Sequence, residues 1–124
     1  MSATFTESDL RNFQGTEQWF RHWTRALIYT EGIHFLEQNG CGWLVDAIAS
    51  YQIDPKLNKG MLRDFQLWEL RVKDQKGVLT CRADSGEKPV VTQKFEYTDF
   101  PLPEIKFYVE LGEAGKVLML PSER

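Results

Sequence analysis

An α+β fold is what this sequence predicts, with N-terminal helices packed on one face of a roughly five-stranded, mostly antiparallel C-terminal sheet. Three observations carry that reading. Up to residue 62 the apolar side chains recur at helical spacing, beyond it they alternate, and turn residues then interrupt the chain about every 8–12 residues. Helices first and strands afterwards argue α+β rather than interleaved α/β. With 124 residues and 14.5 kDa, one domain over residues 1–124 is expected, without repeat, linker or low-complexity segment.

The elements follow in order. Thr6 or Ser8 can cap a short helix over residues 8–13, which Gly15 stops. Thr16 reads as a second cap, opening the aromatic-rich segment Glu17–Trp23. Thr30 offers an N-cap hydroxyl and Glu31 a negative charge at the positive end of the helix dipole. Ile33, Leu36 and Phe35 form one face of that helix, and Asn39-Gly40 is a left-handed stop. Trp43, Leu44, Ala47, Ile48 and Tyr51 make the next helical stripe, with Asp46 and Ser50 facing away. Asp54-Pro55 ends it, and residues 55–61 read as a loop or short helical turn.

Strands are expected at Phe65–Lys73, Val78–Ala83, Val90–Thr98, Ile105–Leu111 and Lys116–Leu120. The first two are joined by a turn Asp74-Gln75-Lys76-Gly77 with glycine at its end. Glu69, Glu96, Glu104 and Glu110 alternate with lysines and read as a solvated face. The last strand reads as an exposed edge able to pair with a copy of itself, so monomer and homodimer both stay open.

Fifteen basic against eighteen acidic residues leave a net charge of −3 and a pI near 5.4. The charge is evenly spread, which disfavours an electrostatically driven nucleic-acid binder. No apolar run approaches membrane-spanning length, and the N-terminus Met1–Glu7 lacks the pattern of a signal peptide. A cytoplasmic location is expected, with Cys41 and Cys81 reduced. Phosphate loops, HExxH, GxSxG and CxxC are all missing from the sequence, so no cofactor or metal is expected.

Two constellations remain as candidate sites. Trp19-Phe20-Arg21-His22-Trp23-Thr24-Arg25 interleaves large aromatics with arginines, the residue types that dominate binding hot spots. Trp19, Arg21, His22, Trp23 and Arg25 are therefore the candidate partner-binding residues, for a protein first and single-stranded nucleic acid second. The bland alternative has the tryptophans anchoring a helix on the sheet. The second constellation is Cys41 with His34 and Asp46. A cysteine just ahead of a helix can have its thiolate stabilised by the dipole, with His34 as base and Asp46 as orienting group, giving a small enzyme or ligand-binding domain. The competing reading makes Cys41 a small side chain filling a tight corner between two glycines.

Three stretches carry a family resemblance: Gly15-Thr16-Glu17-Gln18-Trp19-Phe20-Arg21-His22, Tyr29-Thr30-Glu31-Gly32, and Trp43 to Gln52. Phe65-Gln66-Leu67-Trp68, Glu96–Leu102 and Val117–Glu123 extend it, so that it spans residues 15–123. Together they resemble a family of small uncharacterised bacterial proteins, a domain of unknown function. The resemblance implies a bacterial, cytoplasmic, single-domain protein, and no catalytic residues carry over from it.

Overall fold

In the computed structural model, residues 5–124 are described; the four residues that begin the stretch searched for a signal peptide lie outside them. The elements are α1 (Glu7–Leu10), β1 (Phe20–Arg21), β2 (Ile28–Tyr29), α2 (Glu31–Leu36), α3 (Gly42–Tyr51), α4 (Met61–Asp64), β3 (Phe65–Lys73), β4 (Lys76–Arg82), β5 (Val91–Phe95), β6 (Glu104–Gly112) and β7 (Gly115–Met119). The fold is α+β, as expected. Among the described residues its sheet has seven strands rather than five, in the order β1-β2-β7-β6-β3-β4-β5, and it is mixed because β2 pairs parallel to β7. The two extra strands are the two-residue β1 and β2, too short for an alternation pattern to register.

Alternation places the core. On β3, Gln66, Trp68 and Leu70 turn inward with Leu79 and Cys81 of β4 and Ile105, Phe107 and Val109 of β6. Leu44, Val45, Ile48 and Ala49 of α3 are buried with them, Tyr51 meets the Trp68 ring at 5.6 Å, and Trp43 meets Phe95 edge-on at 5.1 Å. Beyond α3 a polar network completes this layer. Gln52 and Gln66 exchange amide hydrogen bonds of 2.9 Å, and Trp68 Nε1 donates to Gln66 at 2.8 Å. Lys116 Nζ donates to Gln52, to the Leu57 carbonyl and to Asn58, and burial holds its pKa down.

Several local expectations are corrected. Asp74 and Gln75 both take positive φ, so the β3–β4 turn has two residues closed by the Lys73–Lys76 pair, and Gly77 belongs to β4. Glu69 is buried beside Arg71 rather than solvated. β5 stops before Glu96, and Leu111 at the end of β6 is exposed. Loop 96–103 crosses over, so β6 pairs with β3 on the side away from β4. β7, expected at an edge, lies between β2 and β6.

The helix caps are also redistributed. Thr6 caps α1 in a reciprocal box with Asp9, as expected, but the helix is shorter than 8–13. Gly40, at φ +89, makes the break between α2 and α3. Thr30 sits at the start of α2, yet its hydroxyl donates 93 residues away, to Glu123 Oε1 at 2.6 Å. Glu123 itself satisfies the helix start by accepting Gly32 N–H at 2.9 Å, and within its own turn it also accepts Leu120 N–H at 3.1 Å. A Cβ on Gly32 would lie 2.5 Å from that carboxylate and 2.7 Å from Leu120.

Glu123→Ala leaves a buried hydroxyl and two backbone N–H groups without their acceptor, and it should cost about 3 kcal/mol in urea unfolding. Gly32→Ala should cost about 1–3 kcal/mol by forcing the same carboxylate out of place. Unchanged stability in both variants would show that the clamp does not hold the chain end.

Candidate functional site

The segment from Thr16 to Trp23, expected as a helix, runs through loop and strand. Thr16 does cap a helix, but it is α2: its hydroxyl oxygen accepts Glu31 N–H at 3.1 Å. Glu31 answers by accepting Glu17 and Gln18 N–H at 2.8 and 3.0 Å. The chain so held enters β1, and alternation sends Phe20 and His22 inward. Phe20 stacks face to face on His34 at 4.0 Å and on Tyr29 at 5.7 Å.

His22 is 1% exposed and has a partner on each ring nitrogen. Nε2 lies 2.7 Å from Asp46 Oδ1, and Nδ1 lies 2.8 Å from Thr24 Oγ1 and 3.2 Å from Thr24 N. A backbone N–H can only donate, so Nδ1 is the acceptor and the proton sits on Nε2, facing the carboxylate. Trp23 Nε1 donates to the same Asp46 oxygen at 3.1 Å. The Thr24 hydroxyl oxygen accepts Ala26 N–H at 3.2 Å, and Arg25 takes φ +66 to close the loop.

This framework leaves Trp23 76% and Trp19 55% exposed, with Arg21 and Arg25 exposed beside them. The tryptophans therefore do not anchor a helix on the sheet. Among the five residues read from sequence as partner-binding, His22 differs from the rest, since it supports the loop from inside. Its pairing with Asp46 joins residues 24 apart. Local spacing carries no signal for that contact, nor for Thr24.

Cys41, His34 and Asp46 do not assemble. Cys41 does stand just ahead of α3, but it is completely buried and makes no side-chain cap bond. Burial, with Asp99 nearby, pushes its thiol up to about 12. The dipole's contribution, about 0.3–1 kcal/mol near a surface, is outweighed by desolvation. No hydrogen bond joins Cys41 to His34 among the described residues. His34 Nδ1 is buried without a hydrogen bond among the described residues, 3.7 Å from Glu37 Oε1. Glu37 instead accepts the Tyr29 hydroxyl at 2.9 and 3.0 Å, and burial together with that carboxylate pushes Tyr29 up to about 12. Asp46 is turned away toward His22 and Trp23.

No group of three or more His, Cys, Asp or Glu side chains among the described residues is placed to hold a metal, and no helix among them is long and apolar enough to cross a membrane. The class of protein is thus a mixed-sheet α+β fold that presents two tryptophans and two arginines around a hairpin held by histidine and aspartate. The chain belongs to DUF6876, a family of unknown function whose model matches residues 4–124. Comparison with curated proteins and with solved structures gives no match.

Asp46→Ala removes the acceptor of both His22 and Trp23. It should cost about 1–3 kcal/mol and shift the Trp23 indole N–H resonance; an unmoved resonance would break the proposed link. Cys41 and Cys81 both have folded thiols raised by burial from 9.0 to about 12. Their folded pKa exceeds the unfolded one, so the stability they contribute is complete below pH 9 and lost as pH rises toward 12. Urea unfolding between those limits should show that decline, and iodoacetamide should label neither thiol at pH 8 until the chain unfolds.

Proposed function

We propose that this chain is a bacterial, cytoplasmic, non-catalytic binding or accessory protein that engages a protein partner through Trp19, Arg21, Trp23 and Arg25. The observation that carries the reading is the exposure of Trp23 at 76% while its indole nitrogen is tied to Asp46. A tryptophan left in water forgoes a large burial free energy, about 1.5–3 kcal/mol or more for a side chain of this size. Tied in one orientation, it loses less entropy when a partner covers it. The two arginines can form forked, charge-assisted bonds around the aromatic rings. The even charge and net −3 favour a protein over nucleic acid as the partner.

Affinity capture from bacterial lysate, with and without nuclease, tests this against Arg21→Ala/Arg25→Ala and Trp23→Ala. A specific protein retained after nuclease should be lost in both variants. The arginine pair is exposed, so the double variant's unfolding free energy should stay within about 0.5 kcal/mol per site of the wild type. Material lost on nuclease treatment would transfer the surface to single-stranded nucleic acid, and capture indifferent to the substitutions would overturn the reading.

A further inference from the structure

Resting on the reading of this hairpin as a binding face, we propose that its open strand edge binds a second copy of the chain, β1 against β1, antiparallel, with Phe20 on the two-fold axis. Among the described residues β1 ends the sheet, so one of its sides has no neighbouring strand there. The backbone groups facing that side follow from the hairpin register. His22 N–H donates to the Leu27 carbonyl at 3.0 Å, and Phe20 lies opposite Tyr29. Even-numbered residues therefore turn their backbone groups toward β2. Arg21, opposite Ile28, occupies the alternate position, with N–H and C=O turned to the open side.

The same alternation carried back two residues gives Trp19 that orientation. Gln18, the residue before Trp19, agrees, because its N–H is held by Glu31 at 3.0 Å and its C=O by the Thr16 hydroxyl at 2.6 Å. With Phe20 facing Phe20, Trp19 falls opposite Arg21 of the copy, and the reciprocal pair forms on the other side of the axis. Each such pair exchanges two backbone hydrogen bonds, which satisfies the outward groups of both residues. The side chains agree as well: the Arg21 guanidinium meets the exposed Trp19 indole of the copy in a cation–π contact.

Neighbouring registers are worse on physical grounds. Placing Arg21 opposite itself sets like charges face to face. Placing Trp19 opposite itself brings Arg21 to Glu17, whose N–H is already given to Glu31 at 2.8 Å. A one-residue slip pairs outward groups with inward ones. The interface is short, so the dimer is weak and concentration-dependent.

Sedimentation velocity and amide NMR of the full chain test this from about 10 μM to about 1 mM. The wild type should pass from monomer to dimer over that range. Amide exchange of Trp19 and Arg21 should slow with concentration, while that of Phe20 stays unchanged. Arg21→Pro removes an outward N–H, which a proline at a sheet edge tolerates; it should leave the monomer folded and raise the dimer dissociation constant at least about tenfold. A wild type that stays monomeric throughout, or a dimer indifferent to Arg21→Pro, would overturn the proposal. If the wild type stays monomeric while the arginine substitutions still abolish capture of another protein, the self-pairing fails and the binding face stands. If capture too is indifferent, both fail.

Discussion

The carboxylate of Glu123 is the constraint on which the arrangement of the two halves depends. Removing a carboxylate from water costs several kcal/mol unless hydrogen bonds replace the solvent. Here the Thr30 hydroxyl and the N–H groups of Gly32 and Leu120 replace it, and the oxygens sit against the positive end of α2. The helix start thereby gains its acceptor from the last turn of the chain. Only glycine at position 32 leaves room for it. The parallel β2–β7 pairing runs through the same place, with Thr30 N–H donating to the Leu118 carbonyl at 3.2 Å. One contact thus sets the helical half against the sheet and places the β1–β2 hairpin at the sheet's end.

That hairpin is too short to be stable alone. It is held from three directions: Glu31 fixes the chain entering it, Phe20 stacks on His34, and His22 is locked between Thr24 and Asp46. A buried histidine satisfied at both nitrogens rigidifies its neighbours at little cost, because neither ring nitrogen is left unpaired. The outward tryptophans and arginines are consequently displayed from a supported frame, which is what gives the proposed binding face its physical basis.

The alternation on β3, β4 and β6 was legible because a half-buried strand writes its period of two into the sequence, whereas the turn after β3 was read as Asp74–Gly77 and is only Asp74-Gln75. The α3 stripe and the break at Asn39-Gly40 were legible for the analogous helical reason. Trp19–Arg25 was visible as an unusual composition, but its secondary structure was not. Two paired residues leave no period to detect. Cys41 was placed correctly ahead of its helix, while the deciding quantity, its burial, depends on every element that packs over it.

By itself, then, the sequence determined the class of fold, most element positions, the caps formed within one turn, and the residues unusual enough to mark a surface. Tertiary structure decided which polar groups meet: Thr30 with Glu123, His22 with Asp46, Gln52 with Gln66 and Lys116. It also decided that Trp19 and Trp23 face solvent and that Cys41 does not. The reason is that local periodicity and capping are properties of neighbouring residues. Hydrogen-bond partners 14 to 93 residues apart, and the dielectric around a thiol, exist only after the chain has closed on itself.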